Sequence, residues 1–187
     1  ALCRAAGDLA NAAHAEFMLS WTHGYRGDCV AAEAHAQAAL ALVAQSPNPT
    51  NRTFAEVGLL LSHLFRGQFA VALAAGERAR ASGVAAEDDG LASFGGTFLS
   101  FAALLSGDAA QALAFAERAM AEAPTDYFRG WASAFLAAAL TRLGRVAEAL
   151  PVLESAAALA RRSGHIAGYI VIAVPLLEAR LVAGDLE

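Results

Sequence analysis

Five glycines stand in one register along this chain, and they constrain its fold more than any other feature. Gly27, Gly67, Gly107, Gly144 and Gly184 are separated by 40, 40, 37 and 40 residues. Eight residues before each stands a leucine: Leu19, Leu59, Leu99, Leu136 and Leu176. Five residues after the first four stands an alanine (Ala32, Ala72, Ala112, Ala149), and twelve after stands another (Ala39, Ala79, Ala119, Ala156). Self-similarity at such a period marks an array in which each unit is one supersecondary element. Glycine accepts the positive φ that a tight helix–helix turn needs. Asp28, Asp108 and Asp185 follow their glycines directly and are placed to cap a helix start. The paired alanines are seven apart, so they share one helix face. Small side chains there let two helices of a hairpin approach closely, and the leucine is expected to fill the space opposite.

Composition supports helix throughout. The chain has 187 residues, of which 50 are Ala, and Ala is the best helix former. First helices are expected over 9–24, 51–66, 89–106, 125–143 and 166–183, and second helices over 28–45, 68–82, 108–123 and 145–163. Units then fall around 9–45, 51–82, 89–123, 125–163 and 166–187. The linkers Ser46–Thr50, Gly83–Asp88, Ala123–Thr125 and Ser163–His165 are short, as helical stacks require. None divides the chain, so residues 1–187 read as a single repeat domain. Pro151 and Pro175 fall inside expected helices, where proline kinks.

The pattern resembles the tetratricopeptide repeat. Gly107-Asp108-Ala109-Ala110-Gln111-Ala112-Leu113, then Ala119 and the helix-closing Pro124, follow that family's motif most closely. Gly144-Arg145-Val146-Ala147-Glu148-Ala149-Leu150 follows it nearly as well. The resemblance implies an all-α, right-handed superhelical solenoid of helix-turn-helix repeats, here of roughly nine helices. Two departures are the period, about 40 residues, and the leucines Leu60 and Leu177 seven before the glycine, where a small residue is usual. Repeats of this length in an Ala- and Arg-rich chain look like the helical sensor regions of MalT-like, LuxR-type ATP-dependent transcription regulators, or of ATPase-linked class III adenylate cyclases. The segment from Gly144 through Arg161-Arg162-Ser163-Gly164 to Ala183-Gly184-Asp185 carries that likeness.

Gly7 lies 20 residues before Gly27, as Gly164 does before Gly184. By analogy Leu2 to Ala6 is the tail of a second helix, and Gly184-Asp185-Leu186-Glu187 opens another. Natural arrays end in polar caps, so the chain is expected to be a piece of a longer solenoid with a tendency to self-associate.

The net charge of -5 argues against direct contact with nucleic acid, which needs clustered positive charge. Arg78, Arg80, Arg161 and Arg162 are expected at helix ends, where they suit the helix dipole. Gly90 to Gly107 is uncharged over 18 residues, the lower limit for a membrane span. Its serines, threonine and paired Gly95-Gly96 instead suggest a buried solenoid helix, so no membrane partner is expected. Two cysteines, Cys3 and Cys29, make no disulfide framework, and a cytoplasmic location is the expectation.

In a tetratricopeptide stack the first helices line the concave face, and the resemblance places that face 13, 10, 6, 3 and 2 residues before each glycine. A binding groove would then carry His14, Phe17, Trp21 and Tyr25 from the first unit, Phe54, Leu61 and Phe65 from the second, Phe94 and Phe101 from the third, and Trp131 from the fourth. Two ladders stand out: His14, Phe54, Phe94, Trp131, and Trp21, Leu61, Phe101. An apolar aromatic groove suits a protein, a peptide or a small apolar ligand. Packing between neighbouring first helices would use the same stripe.

His23 and His63 share an offset, but Ala103 follows them in the series, so no metal site is expected. Glu87-Asp88-Asp89 is an acidic run at a helix start, favoured by the helix dipole. No phosphate loop, nucleophile elbow or zinc-protease motif is present, and neither catalytic residues nor cofactors are expected. The function expected is a non-catalytic protein- or ligand-binding scaffold, the sensor or interaction domain of a larger bacterial transcription regulator. The alternatives are the repeat region of an ATPase-linked adenylate cyclase or other signalling enzyme, and an enzyme with its active site inside the superhelix.

Overall fold

The computed structural model describes residues 2–163 and 166–185. Those residues form ten helices and no strand: α1 (Leu2–Ala5), α2 (Leu9–Tyr25), α3 (Cys29–Gln45), α4 (Pro49–Leu64), α5 (Phe69–Ala85), α6 (Asp89–Leu105), α7 (Ala109–Glu122), α8 (Asp126–Arg142), α9 (Val146–Ser163) and α10 (Ile166–Ala183). Apart from the single turn α1, each is 14 to 18 residues long. Even-numbered α2 to α10 are the first helices of five units, and α3, α5, α7 and α9 are their second helices. Helices α2, α4, α6 and α8 each pack on the second helix that follows; α4, α6, α8 and α10 each pack on the second helix before; and neighbouring first helices pack on one another. Among the described residues the second helices do not pack on one another. The first helices therefore form the inner row of the stack and the second helices its outer row.

The turns explain the glycine register. Gly7, Gly27, Gly67, Gly107, Gly144 and Gly184 all have positive φ, between 70° and 92°. The N–H one residue later returns to the last helical turn, as Asp28 N does to the His23 carbonyl (2.9 Å) and Asp108 N to the Ala103 carbonyl (3.1 Å). This is the left-handed helix-closing motif that glycine adopts without a Cβ penalty. Asp28 and Asp108 then cap the next helix, accepting from Ala31 N (3.1 Å) and Gln111 N (2.9 Å). One turn of the same geometry lacks glycine: Glu87 sits at φ 53°, and Asp88 N returns to the Gly83 carbonyl (3.0 Å). Helix α5 runs on to Ala85, so the linker expected from Gly83 is shorter and begins at Ala86. Gly164, His165, Leu186 and Glu187 lie outside the described residues.

The alanine register is borne out. Ala32, Ala72, Ala112, Ala149, Ala39, Ala79, Ala119 and Ala156 are all buried. The leucines reach across to the preceding unit: Leu99 approaches Gly76, on that unit's second helix. Leu59 and Leu99 are buried and Leu136 and Leu176 half-buried, whereas Leu19, preceded only by α1, is 42% exposed. Two arginines also depart from their expected role. Arg78 and Arg80 lie inside α5, not at its end, and they bind carboxylates: Arg78 reaches the buried Glu56 (2.9 Å), and Arg80 pairs with Glu122 of the next unit. Helices α9 and α10 are continuous helical segments through Pro151 and Pro175.

The uncharged segment forms α6, which is almost wholly buried at the centre of the stack. No helix among the described residues is long and apolar enough to cross a membrane. Asn51, which begins a glycosylation-like triplet, is buried and donates from its side chain to the Ala10 carbonyl (2.8 Å), tying α4 to α2.

Candidate binding face

The inner row of first helices brings the aromatic residues of four units together. Phe17 stacks on Phe54 (centroids 4.9 Å, planes 17° apart), and Phe54 meets Phe94 edge-on at 5.1 Å. His14 touches both Phe17 and Phe54 at about 6 Å. Trp21, from the first unit, reaches Phe98 of the third (5.5 Å) and Trp131 of the fourth (6.4 Å). Phe101 meets Phe135 at 4.9 Å with the rings tilted 34° to one another. Aromatic pairs at such separations add attraction beyond their area burial.

Burial divides the expected groove residues into two sets. Phe17, Leu61, Phe94 and Trp131 are buried, and form the floor. Trp21, Phe54 and Phe101 are half-buried, while His14, Tyr25 and Phe65 are exposed. Tyr25 packs against Trp21 (6.0 Å) and Phe65 (6.2 Å), so three of these rings form one accessible edge. Leu105, at the same offset as Tyr25 and Phe65, is also exposed. Desolvation among its neighbours pushes the Tyr25 phenol above its usual pKa, although much of the side chain stays open to solvent. The Trp21 indole N–H is buried with no acceptor among the described residues, an uncommon condition for a polar group.

Phe98 and Phe135 were not picked out by the ladders. Both lie nine residues before their turn glycine, one helical turn along the same stripe from Phe94 and Trp131. The corresponding residue of the second unit is Gly58, pressed against Ser20 and Ala36, which hides the series from a residue-by-residue reading.

The histidines serve their own turns. His23 lies 3.4 Å from Asp28, and His63 hydrogen-bonds Gln68 at 2.8 Å. His35 hydrogen-bonds Glu16 across the first hairpin (2.7 Å). No group of three or more His, Cys, Asp or Glu among the described residues is arranged to hold a metal. Both cysteines are free. Asp88 of the acidic run caps α6 through Leu91 N (2.9 Å), and Asp89 lies in its first turn.

Known proteins give the same picture of the fold. Residues 103–168 match the tetratricopeptide-repeat family model. That stretch joins the end of the third unit to the fourth, where the motif is cleanest. Two crystal structures of a Podosopora anserina protein of kinesin-light-chain type, with nearly identical TPR-like repeats, are similar along almost the whole chain. Their TM-scores are 0.65 and 0.64 at 17% identity, covering 92% of this chain and 87% of those. At that identity the likeness is one of fold: an all-α tetratricopeptide-like repeat solenoid. No curated protein matches the sequence. Repeats of this kind generally bind protein partners, using the extended concave surface that stacking creates.

Proposed function

We propose that the chain is a protein-binding scaffold that takes an apolar segment of its partner along the inner row of first helices. One observation carries this reading. Trp21, Tyr25, Phe65, Phe101 and Leu105 share an accessible inner edge across three units, and none of them is charged. A helix facing only water needs one apolar stripe. Here the first helices bury one stripe inside the stack and carry a second at its edge. Aromatic side chains of this type are the usual anchors of binding surfaces. The inferred setting is a larger bacterial signalling protein, as the sensor or interaction region of a LuxR-type regulator or of an ATPase-linked cyclase.

Binding is tested by titrating the chain with a panel of apolar helical and extended peptides while following tryptophan emission. The expected result is a saturable shift with at least one peptide, weakened at least tenfold by Phe101→Ala with only a small change in melting temperature. A panel that leaves emission unmoved, or binding that survives Phe101→Ala and Tyr25→Ala together, removes this face as the binding site. The setting is tested separately by the coding sequence around this region, which should contain a helix-turn-helix, a phosphate-loop or a cyclase segment.

A further inference from the structure

Among the described residues the second helices do not pack on one another, so grooves run between them along the outer face. The groove between α5 and α7 is bridged by the chain's own charges, because Arg80 pairs with Glu122 across it. No ion pair joins α3 to α5 among the described residues. The groove between those two helices holds an open cavity of about 510 Å³, within the size range of small-molecule sites. The ends of α3 and α5, the Pro47–Asn48 linker and the first turn of α4 surround it.

Two arginines line this cavity, and no carboxylate or aromatic ring does. Arg78 is held by the buried Glu56: its Nε and Nη2 both lie 2.9 Å from Glu56 Oε2. That pair is neutral overall, fixes the guanidinium and leaves Nη1 without a partner. Arg52 is exposed, and its side chain makes no hydrogen bond or ion pair among the described residues. Its counterpart two units along is tied down. Arg52 and Arg129 each stand fifteen residues before their turn glycine, and Arg129 donates to the Ala123 carbonyl at 3.2 Å. Arg52 makes no such bond to Ser46, the residue equivalent to Ala123. The other polar groups of the wall are partly engaged. Asn48 accepts from Asn51 N (3.0 Å), and the Ser82 hydroxyl donates to the Arg78 carbonyl (2.9 Å). What remains is an excess of donors and one uncompensated positive charge, beside apolar surface from Val43, Pro47, Pro49, Ala81 and Ala85.

We propose that this outer groove binds a small aliphatic carboxylate. The carboxylate accepts from Arg52 and from Nη1 of Arg78, and the aliphatic chain lies along Val43, Ala81 and Ala85. Guanidinium–carboxylate hydrogen bonds are charge-assisted and stronger than neutral ones. The wall selects this class. A polyol would need acceptors that the wall lacks. A flat aromatic acid would find no ring to pack against. A phosphate ester would bring close to two negative charges to a wall with one uncompensated positive charge. The bound acid touches both α3 and α5 and so ties the first unit to the second. The site lies on the outer face, apart from the inner edge that takes the protein partner.

The test is calorimetric titration of the chain with octanoate, with octanol (the same tail, uncharged) and with acetate (the charge without a tail). Octanoate should bind saturably, and the other two should bind weaker by roughly tenfold or more, the worth of a hydrogen-bonded charge. Arg52→Ala should weaken octanoate by about the same factor. Ala85→Phe, which fills the groove from an exposed position, should abolish binding. Both substitutions are at exposed sites, and thermal melts of the two variants check that each stays folded. Octanol binding as tightly as octanoate shows an apolar patch only, and acetate binding as tightly shows an adventitious ion only; either overturns the site. Octanoate binding that survives Ala85→Phe lies elsewhere on the chain and also overturns it. So does the absence of saturable binding.

Discussion

Trp21 and Trp131 meet across the inside of the stack, their ring centroids 6.4 Å apart, although they belong to the first and fourth units. No helix-to-helix packing joins α2 to α8 directly; side chains alone span the gap, through Phe98. Repeat arrays normally gain stability only between neighbouring units. This aromatic bridge adds a contact that couples distant ones. Trp21→Ala should therefore cost about 2–4 kcal/mol, somewhat below a fully buried tryptophan because the residue is half-buried. It should also broaden the denaturation transition as units one and four uncouple. Chemical denaturation followed by circular dichroism checks both. A loss of stability with no broadening would show that the bridge is ordinary local packing.

Ala112 is fully buried and its carbonyl accepts from Ser100. Ala112→Leu forces extra methyl groups into that contact and should destabilise by about 1–3 kcal/mol, the usual cost of overpacking. A thermal melt unchanged by the substitution would contradict the packing described for all four hairpins.

The turn glycines and hairpin alanines were legible from sequence because each answers to a local demand: a positive φ, or the closest approach of two helices. Gly27 and Ala32 mean the same thing wherever their neighbours lie. Leu19, Arg80 and Phe98 could not be read that way. The burial of Leu19 depends on what precedes its unit. The partner of Arg80 is Glu122, 42 residues along. Phe98 belongs to a series that Gly58 interrupts. The aromatic stripe was visible, but its division into a buried floor and an exposed edge depends on how strongly the stack curls, and no single helix encodes that.

Two helical glycines should respond oppositely to alanine. A Cβ on Gly95 would lie 2.6 Å from the backbone N of Arg80, whereas one on Gly130 meets nothing within 4 Å. Gly95→Ala must push α6 away from α5 and should cost about 1–3 kcal/mol. Gly130→Ala should stabilise by about 0.5–1 kcal/mol, because alanine loses less backbone entropy in a helix. Paired thermal melts test the two together.

Tyr25 gives the accessible edge a pH signature. Desolvation raises its pKa, so the fold favours the neutral phenol. The associated stability is complete below the ordinary tyrosine pKa and is lost as pH rises through the raised value. Absorbance titration should show a late-ionising component, and Tyr25→Phe should remove it. A peptide bound over the ring should delay it further.

Glu87 occupies the one left-handed turn in the described chain without glycine. A residue with a Cβ pays about 1–2 kcal/mol for that conformation, while glycine costs roughly 0.5–1 kcal/mol more in lost freedom on folding. Glu87 is exposed, and the carboxylates that favour the start of α6 are Asp88, through its cap to Leu91, and Asp89 in the first turn. Removing the Glu87 side chain therefore leaves the helix start intact. Glu87→Gly should stabilise by about 0.5–1 kcal/mol, a rise in melting temperature of roughly 1–4 °C for a chain of this size. Glu87→Val should have the opposite sign, because a β-branched residue fits the left-handed region worst. If both variants melt alike, the turn at Glu87 is relaxed by means other than its backbone conformation, and its equivalence to the glycine turns fails.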